Sequence, residues 1–234
     1  MQKCIFDNPE KLKIVLSSGL DAALAKDIVD LSGRSTPRVV QLGIASRENA
    51  EVVEYCRQMF SPFAGTVKHL NLLEGNLTPE QMYEMIAESD IVWVSGGSTE
   101  YLMERLSFYY LEESLDLAAE RGAVMCGSSA GGICWSYAGF NDFSDGRYDL
   151  IHGLRYAPLF FCPHYQAGRW PEFDKRLESE TASLLPDEGW GVTDGTTVFY
   201  TGGKTEVRFY VDWAFAAHLK RDSSGKWERN VVKP

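Results

Sequence analysis

A serine set among small residues is where this chain's chemistry begins. Gly127-Ser128-Ser129-Ala130-Gly131 has the form Gly-x-Ser-x-Gly, the pattern of a sharp strand-to-helix turn that lifts a serine hydroxyl clear of a sheet. Such a turn strains its central residue, and a side chain at either glycine would collide with the strand or the helix. Ser129 would then stand at a helix N-terminus, where backbone N–H groups can face an anion developing beside it. Taken alone the pattern is only moderately specific, because small-residue turns after strands are common. A serine hydroxyl is also a weak nucleophile. It needs a base beside it, and the base needs a third group to orient it.

The chain has four histidines. His69 falls in a strand, His152 precedes Gly153 in a loop, and His218 lies among the last strands. His164 follows the apolar Phe161-Cys162 and then Pro163, which puts it at a strand's exit and makes it the favoured base. For the acid, two classes of candidate are open. Asp142, Asp145 and Asp149 lie between Ser129 and His164 and give the chain order Ser-Asp-His. Asp194 follows Trp190-Gly191-Val192-Thr193, again at a strand's end, and could equally be the first residue of a tight turn.

These residues need elements to hold them. Lys13–Ser17, Arg38–Ala45, Thr66–Leu72, Asp90–Ser95 and Ala123–Cys126 are short apolar runs that read as strands. Between them, apolar positions recur at three-and-four spacing, as in Leu20, Ala23, Leu24, Ile28 and Leu31, which is the mark of amphipathic helices. Thr78-Pro79 starts one such helix with a capping hydroxyl and a proline at the first helical position. Strand and helix in alternation predict an α/β fold: a mainly parallel sheet, helices on both faces and short C-terminal strands. Working groups in such sheets lie at the carboxyl ends of strands, and Gly96-Gly97 and Gly127–Gly132 both fall there. Farther on, Phe140–Leu150 reads as a surface loop and Pro171–Leu185 as a helix. Short strands follow over Gly189–Thr193, Thr196–Tyr200, Val207–Tyr210 and Trp213–Ala217. Asp194-Gly195 and Gly202-Gly203 read as hairpin turns. With no repeat and no linker, residues 1–234 are expected to form a single domain.

Composition narrows the function classes. A net charge of −10 argues against nucleic acid and anionic membrane as partners. No apolar run is long enough to span a membrane, and the N-terminus lacks a signal peptide's apolar stretch. The expected location is cytoplasmic. Five scattered cysteines, Cys4, Cys56, Cys126, Cys134 and Cys162, show no metal spacing and read as buried thiols in a reducing compartment. No metal-ligand cluster or cofactor fingerprint is present, so neither a metal nor a cofactor is expected.

Four segments together carry a resemblance: Val94-Ser95-Gly96-Gly97-Ser98-Thr99, Cys126-Gly127-Ser128-Ser129-Ala130-Gly131-Gly132, Pro163-His164-Tyr165 and Thr193-Asp194-Gly195. In order and approximate spacing, from about Lys13 to Trp213, they resemble the dipeptidase E/cyanophycinase family of serine peptidases. The resemblance implies a flavodoxin-like domain similar to the class I glutamine amidotransferases, with a triad in the order Ser, His, acid. Carried over, Ser129 would be the nucleophile, His164 the base and Asp194 the acid, where dipeptidase E has a glutamate. The backbone N–H groups of Gly97 and Ala130 would form the oxyanion hole. The family's first turn often ends in asparagine, and here it ends in Ser98. Near the place of the arginine that reads a substrate aspartate stands Phe173, with Arg169 and Arg176 as possible substitutes. These four are the expected substrate-binding positions, and specificity for Asp-X dipeptides is not expected. The implied activity is a dipeptidase or exopeptidase acting on small peptides as a monomer or homodimer. The alternatives are an esterase or other acyl hydrolase using the same serine with Asp149 as acid, and an inactive binder of a small ligand.

Overall fold

The computed structural model describes residues 6, 9–143, 145–166, 170–177 and 185–234. Strands β1 (Lys13–Ser17), β2 (Arg38–Leu42), β3 (Thr66–His69), β4 (Ile91–Val94) and β5 (Val124–Ser128) alternate with helices. These are α1 (Ala22–Ser32), α2 (Ala50–Phe60), α3 (Pro79–Ala87), α4 (Thr99–Phe108) and α5 (Glu112–Glu120). The five strands run parallel, and β10 (Thr196–Thr201) and β11 (Lys204–Phe209) extend them antiparallel into a seven-stranded sheet ordered β11-β10-β1-β5-β4-β2-β3.

Both faces of this sheet are covered. Ile14, Leu16, Val92, Val94 and Met125 pack with Met82, Ile86, Leu102 and Leu115 of α3, α4 and α5. The alternate residues Val15, Ile91, Trp93, Val124 and Cys126 pack on the opposite side with Leu24, Ile28, Cys56 and Phe60 of α1 and α2. That alternation is the period of a strand buried on both faces. Local signals set the helix ends. Asp21 accepts the N–H of Leu24 at the start of α1, and Thr78 and Gln81 form a reciprocal capping box on α3, which satisfies backbone donors that a helix start leaves open.

The last third of the chain builds a second sheet. Helix α6 (Ala130–Trp135) runs without a connecting loop into β6 (Ser136–Asp142). With β7 (Tyr148–His152), β8 (Ala157–Cys162), β9 (Glu188–Val192), β12 (Ala216–Arg221) and β13 (Trp227–Val232), β6 forms a six-stranded sheet ordered β13-β12-β9-β8-β6-β7. Helix α7 (Trp170–Leu177) lies beside it, Phe173 and Leu177 joining Phe160, Cys162 and Tyr165 in a separate apolar cluster. The stretch expected as a loop over Phe140–Leu150 is instead the hairpin of β6 and β7, paired from Ala138↔His152 to Asp142↔Tyr148. Asp145 and Gly146 lie in its turn, whereas Asp142 and Asp149 are paired residues of the two strands. The strand expected at Trp213–Ala217 begins later, at Ala216, because Val211–Ala214 closes a turn first. Of the helix expected over Pro171–Leu185, residues 178–184 lie outside the described residues.

Candidate active site

The register of the central strands places the serine. β1 and β5 pair with Ser17 opposite Ser128, so Ser129 emerges at the carboxyl edge and its N–H donates to the Ser17 carbonyl at 2.8 Å. Ser129 has φ 54° and ψ −117°, a strained conformation of the kind that persists where surrounding structure over-determines it. The flanking glycines are required. A Cβ on Gly131 would be driven into the Val94 carbonyl, and one on Gly127 would lie 2.6 Å from the Gly131 carbonyl. The Ser129 hydroxyl does not cap its own helix, which leaves its oxygen free for other work.

The turn after β4 lies against this one. A Cβ on Gly96 would stand 3.1 Å from the Ser129 Cβ. Gly97 has φ +144° and touches the Ala45 carbonyl so closely that no side chain fits. The N–H of Ser98 donates to that same carbonyl at 2.9 Å, and the N–H of Gly97 meets no acceptor among the described residues. The Ser98 hydroxyl caps α4 by accepting the N–H of Tyr101 at 3.2 Å.

The second sheet brings the other two groups. β8 and β9 are parallel neighbours with Cys162 opposite Gly191, so the residues just past their ends, His164 and Asp194, come side by side. His164 Nδ1 and Asp194 Oδ1 are 2.7 Å apart. His164, like Ser129, has a positive φ, 52°. Asp194-Gly195 is not a hairpin turn. β9 pairs with β8 and β12, whereas β10 pairs with β1 and β11, so the chain leaves one sheet for the other at Asp194. Of the two turns expected to close hairpins, the Gly202-Gly203 turn does so, with both glycines at positive φ. Asp194 is held through its neighbours: the Tyr210 N–H donates to the Gly195 carbonyl at 2.8 Å, and the Phe215 N–H donates to Thr193 Oγ1 at 2.9 Å.

The other expected residues fall elsewhere. Asp149 is ion-paired with Arg176 at 2.7 Å, and Asp145 with Arg147 at 2.6 Å; the partner of His164 is Asp194. The Asp149 carboxylate also engages the Arg176 guanidinium. Phe173 is fully buried against the rings of Phe140, Phe160 and Tyr165, so it supports the site's floor and offers a substrate no surface, contrary to expectation. Arg169 lies outside the described residues. His218 stacks on Trp190 with ring centroids 4.2 Å apart, and His152 packs edge-on to Tyr137. Cys56, Cys126 and Cys134 are buried free thiols whose burial pushes their pKa upward, the reverse of what a reactive thiol needs.

One residue at this edge was not singled out by its sequence, which reads Ser18-Gly19 simply as a turn. Ser18 is buried, and its hydroxyl accepts the N–H of His164 at 3.0 Å and donates to the Val192 carbonyl at 3.0 Å. Its position after a parallel strand, the same place occupied by the other two turns, was the available signal.

Among the described residues no group of three His, Cys, Asp or Glu side chains could hold a metal ion, and no helix is long and apolar enough to cross a membrane. Comparison with known proteins gives a consistent picture. The Bacillus subtilis (strain 168) peptidase YgaJ, itself uncharacterised, is 26% identical over 180 residues, which cover 76% of this chain and 75% of that protein. A crystal structure of a peptidase from an acI-B1 Actinobacterium superposes with a TM-score of 0.67 at 18% identity, over 95% of this chain and 96% of the other. A Listeria monocytogenes EGD-e protein assigned as a peptidase E superposes with a TM-score of 0.64 at 15% identity, over 86% and 99%. At these identities the two structures show a shared fold. The model of peptidase family S51 matches residues 14–208, the span that contains Ser129, His164 and Asp194, and the chain belongs to that family of serine peptidases.

Proposed function

We propose that this peptidase is a dipeptidase or other exopeptidase that cleaves small peptides through an acyl-enzyme on Ser129. The observation that carries the reading is the 2.7 Å contact between His164 Nδ1 and Asp194 Oδ1, at the edge where Ser129 stands in its strained turn. With Nδ1–H donated to Asp194, the lone pair of Nε2 is left to accept a proton. Ser129 Oγ attacks the scissile carbonyl as its proton passes to His164 Nε2, and the imidazolium returns that proton to the leaving amine. Water then enters by the same base and releases the acid. The N–H groups of Gly97 and Ala130 receive the oxyanion, and losing one such donor costs about 10²–10³ in rate.

Arg176 is committed to Asp149, which supports a preference other than Asp-X. In this reading residues 1–234 act as one domain, in the cytoplasm, as a monomer or homodimer, and without a metal or cofactor. The test is fluorophosphonate labelling with the modified peptide located by mass spectrometry. Stoichiometric labelling at Ser129 that disappears in Ser129→Ala and His164→Ala is the expected result. A Ser129→Ala variant with wild-type peptide turnover would sink the mechanism.

A further inference from the structure

The end of β1 touches both halves of the site through two consecutive residues. Ser17 accepts the Ser129 N–H on its carbonyl at 2.8 Å. Ser18 accepts the His164 N–H on its hydroxyl at 3.0 Å. Both donors, Ser129 and His164, have positive φ, a conformation that a non-glycine residue keeps only when its neighbours enforce it. The Ser17 side chain is itself fixed, accepting from Thr197 Oγ1 at 3.1 Å and donating to the Gly19 carbonyl at 2.6 Å. The Ser18 hydroxyl donates to the Val192 carbonyl, which also takes the Tyr165 N–H at 2.9 Å. One buried oxygen therefore joins the end of β1 in the first sheet to the ends of β8 and β9 in the second.

We propose that Ser18 is a positioning residue for the base: its hydroxyl sets where His164 stands relative to Ser129 and Asp194. The inference rests on the Ser129–His164–Asp194 reading above. Ser18 acts on the base from the strand that also holds the nucleophile's N–H, so a single strand end gauges the separation of the two. Removing the oxygen leaves the His164 N–H without its acceptor and the Val192 carbonyl with one donor fewer. The imidazole is then free to drift, and a displacement of about 1 Å at a reacting group costs about 10²-fold in rate.

The experiment compares wild type, Ser18→Ala, Ser18→Thr and Ser114→Ala. Ser114 is likewise a buried hydroxyl, which bonds the Leu111 carbonyl at 2.8 Å in α5, and serves as the control for losing such a group. Two readouts are taken: the rate of fluorophosphonate labelling at Ser129, and the Nδ1–H proton resonance of His164 in protein carrying ¹⁵N-histidine. The expected result for Ser18→Ala is labelling slowed about 10²-fold with the His164 resonance shifted or lost. Ser18→Thr, which keeps the hydroxyl, restores most of both, and Ser114→Ala changes neither. Wild-type labelling with an unchanged His164 resonance in Ser18→Ala would overturn the proposal while leaving the triad standing. A resonance that responds to Ser18→Ala in a protein whose wild type never labels at Ser129 would instead overturn the triad and leave the positioning role in place.

Discussion

Two carboxylates that compete in the chain, Asp149 and Asp194, are separated by their partners. Asp194 meets His164 Nδ1 and would hold the imidazole in the tautomer that exposes Nε2, whereas Asp149 neutralises Arg176 on the neighbouring helix. Asp194→Asn is therefore expected to lower kcat by about 10⁴-fold, the size of effect known when a triad acid is made neutral. Asp149→Asn removes a half-exposed ion pair worth at most about 1 kcal/mol and should leave turnover near wild type. Steady-state kinetics on one peptide substrate distinguish the two, and selective loss in Asp149→Asn would reverse the assignment. Gly131 is as informative as either acid. Its hydrogen occupies the space beside the Val94 carbonyl, so Gly131→Ala should destabilise the fold by about 3 kcal/mol, as overpacking of a tight site does. A melting temperature equal to wild type would refute the claim that the elbow has no room.

Elements differ in how openly the chain announces them. Thr78-Pro79, the Gly-Ser turn at Ser129 and the Gly202-Gly203 hairpin are local signals, and each stands where its residues say. Asp194-Gly195 has the composition of a hairpin turn, yet the strands on either side part to different sheets, because pairing partners are chosen by contacts far along the chain. The β6–β7 hairpin was hidden by its composition: Asp142 and Asp149 sit within its strands and Asp145-Gly146 in its turn, so the stretch reads as polar loop throughout. β3 carries a further consequence. Burial holds His69 below its ordinary value of 6.5, against the opposing charges of Glu48 and Glu74, and its Nε2 is buried without a partner. The unfolded chain then binds the proton more readily, so this histidine's contribution is intact above pH 6.5 and stability falls as pH drops below it. Thermal unfolding followed from pH 8 to pH 5 should show a shallower acid limb in His69→Gln; an identical limb would contradict the burial argument.

At the scale of the molecule, the proposed nucleophile and base come from different sheets, Ser129 from the end of the seven-stranded one and His164 with Asp194 from the six-stranded one. The order of turns along the chain made the three residues recognisable. Their convergence depends on register, Ser17 opposite Ser128 and Cys162 opposite Gly191, and register is invisible to composition. The buried thiols report on the whole assembly. With Cys4 replaced by serine, the native protein should react with Ellman's reagent only as fast as it opens, since Cys56, Cys126, Cys134 and Cys162 are all buried. Rapid modification under native conditions would contradict the close packing around these thiols. The junction of α6 and β6 has a consequence for how such a protein can change. Trp135 is helical and Ser136 already belongs to a strand, so no slack separates the helix that follows Ser129 from the second sheet. One residue inserted there would turn every side chain of β6 to the opposite face, and insertions are therefore barred at the point nearest the chemistry. Added length is accommodated instead in the turn of the β6–β7 hairpin and at Val211–Ala214, where it leaves the register of the paired strands in phase.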